Sequence, residues 1–226
     1  MVDNVLPIPH ARLLDMMVTE ARQREAPVFT LKGSSRDPYL HLVSAVLSSR
    51  TRDEVTADAG RQLFARADRP EKLAHMRVED VEVLIRSVGF YRVKARTLKK
   101  LAAMLVNEYH SKVPLSMEEL LKLPGVGRKT ASIVLSASDI PAIAVDTHVH
   151  RISNRLGIVE TWKPEETEIE LKRVFAQRLW NRLNKAFVGF GQTVCKPVGP
   201  LCQECPFTTW CPKIGVSKYG ETAGSR

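Results

Sequence analysis

The sequence predicts an all-α protein, and three observations support this fold class. Apolar residues recur at spacings of three and four along most of the chain. Helix-start signals such as Asp37-Pro38 and helix-stop signals such as Gly89 and Gly157 delimit these segments. The strand-like run at residues 140–145 is too short and isolated to found a sheet. With 226 residues, 44% of them apolar, the chain is long enough for two modest helical lobes.

Helical periodicity defines the elements in chain order. A helix begins at Pro38, is capped by Asp37 and ends near Arg50. Ser116 and Glu119 predict a capping box at the start of a later helix. The remaining main patterns cover residues 55–64, 78–88, 92–109, 146–156 and 164–179.

The composition is that of a basic globular protein, with 34 Lys and Arg against 25 Asp and Glu and a net charge of +9. No apolar run approaches the ~20 residues of a membrane span. The N-terminus has neither a basic start nor an apolar signal core, so we expect an intracellular protein of the cytoplasm or nucleoid. Between Arg86 and Lys100, six basic residues occur without an acidic one. This run predicts a surface that attracts phosphates, although a solvated helix face has the same composition.

A tight turn, Leu123-Pro-Gly-Val-Gly127, joins two predicted helices. Pro124 ends the first helix, and Gly125 and Gly127 let the backbone turn sharply and bring N–H groups close to a partner. The second helix starts here, and the positive end of its dipole favours an anion such as a DNA phosphate. An ordinary helix–helix connection has the same pattern, so the turn alone does not decide between the two interpretations.

Lys129 and Asp146 are the candidate reactive side chains. Lys129 lies in the first turn of the second helix, where the dipole disfavours a cation, and a neutral lysine amine is a nucleophile that forms Schiff bases. A surface lysine that lays its stem over apolar neighbours fits the same position. Asp146 precedes a helix and is expected to be its N-cap. A carboxylate held there could also take a proton or stabilise a developing cation.

All four cysteines lie between residues 195 and 211, with the spacing C-x6-C-x2-C-x5-C. Two disulfides are one possibility, but an intracellular protein keeps its thiols reduced, so the spacing favours a metal. Zinc and a [4Fe–4S] cluster both accept four thiolates, and ligand type alone does not separate them. The candidate ligands are Cys195, Cys202, Cys205 and Cys211.

The hairpin 123–129, the segment Val145-Asp-Thr-His148 and the cysteine spacing together resemble the endonuclease III family of DNA glycosylase/lyases. The resemblance implies a two-lobed helix-hairpin-helix DNA glycosylase fold. Its six-helix barrel would span residues 31–141, and residues 1–30 and 142–226 would form a helical lobe carrying the cluster loop, 195–211. It also implies a [4Fe–4S] cluster rather than zinc, and a monomer that binds double-stranded DNA.

Carried over position by position, the resemblance makes Lys129 the nucleophile and Asp146 the catalytic carboxylate. The implied enzyme removes oxidised pyrimidines in base excision repair: it flips the base out of the duplex, forms a lysine Schiff base with the opened sugar and cuts the strand by β-elimination. Such an enzyme also acts at abasic sites. The resemblance also implies DNA contacts at Gly125, Val126, Gly127 and Lys196.

Two positions depart from the family pattern. Arg50 stands where the family usually has Gln, at the wedge that fills the space left by the flipped base. Phe90 stands where the family commonly has Leu, which pushes on the opposite strand. An arginine in the gap would favour guanine over adenine opposite the lesion. A surface charge at Arg50 and a buried core aromatic at Phe90 are the simpler interpretations.

Two other functions stay open on the sequence alone. The first is a thymine or uracil mismatch glycosylase of the same fold. Such enzymes have another residue at the position of Lys129, but an arginine near the wedge, as at Arg50, is similar to them. A non-catalytic helix-hairpin-helix DNA-binding protein with a structural zinc would have no need of Lys129 and Asp146 at this separation.

Overall fold

The computed structural model describes residues 6–30 and 37–216. Within these ranges the chain forms twelve α-helices and one 3₁₀ turn and has no strand, which confirms the all-α prediction. The helices are α1 His10–Gln23, α2 Pro27–Thr30, α3 Pro38–Ser48, α4 Asp53–Phe64, α5 Pro70–His75, α6 Val78–Leu84, α7 Tyr91–Tyr109, α8 Met117–Lys122, α9 Arg128–Ala137, α10 Thr147–Arg155, α11 Pro164–Val174 and α12 Trp180–Thr193. None of these described helices is long and apolar enough to cross a membrane.

The chain forms two compact units. The continuous unit spans residues 31–144 and contains α3 to α9 in its described part. The discontinuous unit combines residues 1–30 with residues 145–226 and contains α1, α2 and α10 to α12 in its described part. Residues 1–5, 31–36 and 217–226 of the predicted domain ranges lie outside the described residues.

The core of the continuous unit forms around α7. Leu98, Leu101 and Leu105 are fully buried on one face of this helix, and they belong to one cluster with Leu42 of α3 and Val134 of α9. Burial of a leucine side chain stabilises the fold by about 1.5–3 kcal/mol. The helical periodicity of the sequence therefore corresponds to a real core face.

Both predicted helix N-caps, Asp37 and Ser116, are present, but only half of the predicted capping box at Ser116 forms. The Asp37 side chain accepts a hydrogen bond from Tyr39 N at 2.8 Å, with Pro38 in the first helical position. Ser116 Oγ accepts from Glu119 N at 3.2 Å, which is one half of the predicted capping box. The Glu119 carboxylate instead accepts from Lys122 Nζ and Tyr109 Oη, and these hydrogen bonds lower the pKa of that carboxyl.

The predicted helix 164–179 is two elements. The first, α11, ends at Val174, and the next residue, Phe175, has an extended backbone. The Phe175 ring is buried against the His10 ring, 4.7 Å away between centroids, and its carbonyl accepts from Trp180 Nε1 at 2.8 Å. A 3₁₀ turn at Gln177–Leu179 then leads into α12. Tertiary packing of one aromatic ring thus ends a helix whose apolar periodicity continues.

The discontinuous unit is held together mainly by α1 and α12. Leu13, Leu14 and Met17 of α1 and Leu183 and Phe187 of α12 are fully buried. Because α1 and α12 are far apart in the sequence, the core of this unit forms only when both helices are present.

Candidate functional site

The hairpin between α8 and α9 is anchored by apolar side chains. Leu123 and Val126 are buried in the core of the continuous unit, and Val126 N donates to Leu123 O at 3.1 Å. Val126 therefore fixes the turn, with its N–H engaged and its side chain covered. Gly125 has φ +77°, and a Cβ at this position would lie 2.3 Å from Thr97 Cγ2. The turn itself thus requires glycine at position 125.

Gly127 is different from Gly125. It is the N-cap residue of α9, with φ −100° and ψ 177°, an extended conformation that any residue adopts. A Cβ at this position would meet no atom within 4 Å. Nothing in the described protein requires glycine here, and the open space beside the backbone leaves room for a molecule to approach it closely. The positive end of the α9 dipole points to the same place, which suits an anion.

Lys129 is exposed and is the second residue of α9, immediately after this hairpin. The first turn of a helix is a fixed platform, so its backbone position is set by the hairpin. The Lys129 side chain therefore starts from the same point at which an anion would be held.

Asp146 is the N-cap of α10, as predicted. Its Oδ1 accepts from His148 N and Val149 N, each at 2.9 Å. The carboxylate is half-buried, and the preceding residue, Val145, is buried. Asp146 belongs to the discontinuous unit and Lys129 to the continuous unit. The two cap bonds hold the carboxylate in one orientation at the surface of its own unit.

Arg50 and Phe90 form a contact that the sequence did not predict. The Arg50 guanidinium carbon lies over the Phe90 ring, 5.7 Å from its centroid. Phe90 is 62% exposed, so its interpretation as a buried core aromatic is wrong. Both residues have left-handed backbones, with φ 53° at Arg50 and φ 59° at Phe90. The continuous unit therefore presents a guanidinium stacked on an aromatic ring at its surface.

The basic run Arg86–Lys100 contributes less surface charge than its composition suggests. Lys94 is buried, and its ammonium donates to carbonyls near the end of α3. The Lys99 ammonium likewise donates to the carbonyls of Leu73, Ala74 and Met76 at the end of α5. Burial lowers the pKa of both lysines. The exposed basic residues of the run are Arg86, Arg92, Arg96 and Lys100.

The four cysteines line one cavity at the end of α12, together with Arg155, Phe190 and Leu201. Their side chains are half-buried, and burial with neighbouring thiols raises the pKa of Cys205 to about 11. Among the described residues, no three His, Cys, Asp or Glu side chains are grouped closely enough to hold a single metal ion. The thiols surround a space instead, and N–H donors reach two of them: Arg155 Nη1 lies 3.6 Å from Cys195 Sγ and Lys213 N lies 3.4 Å from Cys211 Sγ. Four sulfurs around one space, two of them with N–H donors, are a suitable ligand set for an iron–sulfur cluster.

Two residues that the sequence did not single out hold the cysteine loop. The Arg155 guanidinium donates to Lys196 O at 2.6 Å and to Pro197 O at 3.0 Å. Phe207 is fully buried, with its ring centroid 5.3 Å from that of Phe190. The loop is therefore held by the buried Phe207 ring and by the hydrogen bonds from Arg155. The Lys196 side chain is exposed on this loop. A lone arginine at a helix end resembles a surface residue in sequence, so no local signal could have identified Arg155.

Comparison with known proteins finds that the chain is similar to DNA repair proteins. Residues 43–177 match the HhH-GPD superfamily of base excision DNA repair proteins. The chain is 48% identical to an endonuclease III from Thermotoga maritima over 86% of this chain and 92% of that protein. It is similar to a structure described as a trapped endonuclease III–DNA covalent intermediate, with 34% identity, a TM-score of 0.79 and coverage of 91% of this chain and 97% of that one. A thermostable thymine-DNA glycosylase has the same fold, with a TM-score of 0.77, 22% identity and coverage of 90% and 95%.

The contrast between the two hairpin glycines can be tested with one substitution at each. Gly125→Ala should lower the free energy of unfolding by about 1–3 kcal/mol, because of its left-handed backbone and the contact with Thr97. Gly127→Ala should change it by less than about 0.5 kcal/mol, because reduced unfolded-state entropy offsets the poorer N-cap. Gly127→Ala should nevertheless weaken binding to a duplex with an abasic-site analogue about tenfold, ~1.4 kcal/mol.

Thermal unfolding and fluorescence anisotropy measure the two quantities separately. Wild-type affinity in Gly127→Ala would show that no ligand approaches this glycine. An unfolding midpoint as low as that of Gly125→Ala would show that the fold itself needs it.

Proposed function

Because the chain belongs to the endonuclease III family of HhH-GPD base excision DNA repair proteins, we propose that it removes oxidised pyrimidines from double-stranded DNA with Lys129 as its nucleophile. Members of this family are DNA glycosylases and abasic-site lyases, and this protein is one of them. The observation that carries the assignment of Lys129 is its position. It is exposed in the first turn of α9, two residues after Gly127, whose surroundings are open to an approaching backbone.

The hairpin holds the DNA strand. Backbone N–H groups around Gly127 and the positive end of the α9 dipole attract a phosphate of the damaged strand. This contact fixes register but reads no sequence. The sugar of the flipped nucleotide then lies within reach of the Lys129 amine. Lys196, exposed on the cysteine loop, contacts a further phosphate.

The reaction proceeds through displacement of the base, opening of the sugar ring, elimination of the 3′ phosphate and hydrolysis. The Lys129 amine attacks C1′ of the sugar, the bond from C1′ to the base breaks, and the base leaves with the electron pair and a proton. Opening of the sugar ring gives a Schiff base between Nζ and C1′. Loss of a proton from C2′ then expels the 3′ phosphate, and the strand is cut by β-elimination. Hydrolysis of the Schiff base frees Lys129.

Asp146 assists this sequence through its charge. A carboxylate beside the sugar takes a proton from the attacking amine or stabilises positive charge that develops at C1′. The two cap hydrogen bonds to Oδ1 orient the group before substrate arrives, so little reorganisation is needed during reaction.

Cys195, Cys202, Cys205 and Cys211 hold a [4Fe–4S] cluster in this proposal. The support is the cavity that all four thiols line and the N–H donors directed at the sulfurs of Cys195 and Cys211. When bound, the cluster supplies folding free energy to the loop 195–211. Arg155 and Phe207 position the loop so that Lys196 stays at the surface.

Arg50 and Phe90 enter the duplex from the continuous unit in this proposal. The exposed Phe90 ring is suited to contact base faces, and the Arg50 guanidinium offers five donors in a fixed plane. The O6 and N7 acceptors of guanine match two of these donors, whereas adenine offers a donor in place of O6. The pair therefore favours lesions opposite guanine.

Removal of the Lys129 amine should abolish covalent chemistry. Borohydride added during reaction of the wild type should trap a protein–DNA adduct, and Lys129→Gln should form none. Because Lys129 is exposed, the variant should fold and bind abasic-site DNA almost normally. Denaturing gels measure trapping and anisotropy measures binding.

Asp146→Asn is the matched control, because asparagine keeps the Oδ1 acceptor and is an equally good N-cap. It should slow base release by about 10²-fold or more and still allow trapping on a pre-formed abasic site. A Lys129→Gln protein that forms the adduct at the wild-type rate would show that another residue is the nucleophile.

The cluster can be tested by iron content independently of activity. Anaerobically purified wild type should contain iron, and Cys202→Ala should lose it. The loop 195–211 should then become sensitive to protease, because metal binding contributes its folding free energy. Thr208→Ser, which alters a neighbouring side chain of the same cavity, should keep its iron. Wild-type protein with zinc in place of iron would refute the proposal.

The opposite-base preference is tested by single-turnover rates on two duplexes that differ only in the base opposite the lesion. Wild type should process the lesion opposite guanine faster than opposite adenine, by a factor that corresponds to ~1–3 kcal/mol. Arg50→Gln should reduce this ratio. Arg92→Gln, which removes another exposed arginine, should lower both rates equally. An unchanged ratio in Arg50→Gln would assign that side chain to phosphate or solvent.

A further inference from the structure

A single hydroxyl group joins the two loops that carry Arg50 and Phe90. Thr51 Oγ1 accepts from Gly89 N at 3.2 Å and from Lys94 Nζ at 3.0 Å, and it donates to Ser49 O at 3.4 Å. A hydroxyl has one donor and two acceptor positions, so all of its capacity is used. The residue after Arg50 is thereby connected to the residue before Phe90.

Lys94 is the centre of this connection. Its side chain is 7% exposed, and its Nζ donates to Leu47 O at 2.7 Å, Ser49 O at 2.5 Å and Thr51 Oγ1. Three acceptors match the three N–H bonds of an ammonium group. Two of them are carbonyls at the C-terminal end of α3, where a cation also interacts favourably with the helix dipole. Lys94 thus holds the segment 47–51 against the start of α7.

The loops that this lysine holds have unfavourable backbones. Arg50 and Phe90 are both non-glycine residues in the left-handed region, a conformation that costs about 1–3 kcal/mol and persists only where the surroundings impose it. The two loops also touch directly, since a Cβ on Gly89 would lie 2.9 Å from Arg50 O. Without the hydrogen bonds to Lys94 and Thr51, each loop could relax separately, and the stacked pair would be lost.

We propose that Lys94 is a positioning residue for base recognition: acting through Thr51, it holds Arg50 and Phe90 as one preformed unit that enters the duplex. This rests on the proposed function, in which both side chains insert into damaged DNA. Preformation removes the cost of ordering two separate loops at the moment of insertion. Lys94 itself touches neither the DNA bases nor the reacting sugar.

The test compares Lys94→Met with Lys99→Met. Both variants remove a lysine of α7 that donates to carbonyls at the end of a neighbouring helix, but the acceptors of Lys99 lie at residues 73–76 and not in the loops that carry Arg50 and Phe90. The substrate is a duplex with thymine glycol opposite 2-aminopurine, whose fluorescence rises when it unstacks. Lys94→Met should slow both the fluorescence rise and single-turnover base release between about 10- and 100-fold. Lys99→Met should leave both rates near wild type, even if it lowers the unfolding midpoint as much as Lys94→Met does.

Further variants separate positioning from folding. Thr51→Val keeps the shape of the side chain but breaks the link to Gly89, so it should slow unstacking, and Thr51→Ser should restore the wild-type rate. In a background of Arg50→Gln with Phe90→Ala, Lys94→Met should add little, because its effect passes through those residues. If Lys94→Met does not fold, the comparison of Thr51→Val with Thr51→Ser decides the question.

Borohydride trapping on an abasic site in single-stranded DNA distinguishes failure of this inference from failure of the proposed function. No base has to be displaced there, so Lys94→Met should trap at the wild-type rate. Absence of trapping in wild type would refute the proposed chemistry. Normal trapping in wild type, with unstacking rates in Lys94→Met equal to those in Lys99→Met, would overturn the role of Lys94. Additive effects in the triple variant would overturn it as well.

Discussion

Two lysine ammonium groups of α7, one buried and one half-buried, donate to backbone carbonyls at the ends of neighbouring helices and hold the segments that follow α3 and α5. The last carbonyls of a helix have no partner within that helix, and leaving them buried and unpaired is costly. Lys94 supplies donors at the end of α3, and Lys99 supplies them at the end of α5. Burying a cation also costs several kcal/mol, which is offset only when its donors are all used. Each lysine is therefore stabilising only when its N–H groups are all paired, and the paired groups hold the loop carbonyls in place.

The discontinuous unit solves a similar problem with arginine. Arg155 extends from the last turn of α10 to two carbonyls of the cysteine loop and to one of its sulfurs. A guanidinium serves this role because its fork of donors can reach several acceptors at once and it keeps its charge when buried. In each unit, one segment proposed to contact DNA is thus held by a cation from an adjacent helix: the Arg50 loop by Lys94 and the cysteine loop by Arg155, with Phe207 as the main apolar addition.

The parts of the structure that the sequence predicted are those with local signals. Asp37 and Asp146 are N-caps because a short acidic side chain before a helix reaches the N–H groups two or three residues later. The endonuclease III resemblance was likewise readable, since it depends on motifs of a few residues. Lys94 was not identifiable, because its partners Leu47 and Ser49 are far from it in sequence and its basic neighbours suggest a solvated face. The end of α11 at Val174 was missed for the same reason, since it depends on Phe175 packing against His10. The different roles of Gly125 and Gly127 could not be predicted, because they depend on the backbone angles of the two residues and the sequence shows only two glycines.

The pairing of α1 with α12 has a consequence for biosynthesis. The continuous unit can fold as soon as its own residues leave the ribosome, because its core uses no segment from elsewhere. Helix α1 precedes the other described helices in the chain, yet Leu13, Leu14 and Met17 are covered only once residues 180–193 have been made. During synthesis these apolar side chains of α1 therefore stay uncovered while the continuous unit folds, and they are buried only after α12 has been made.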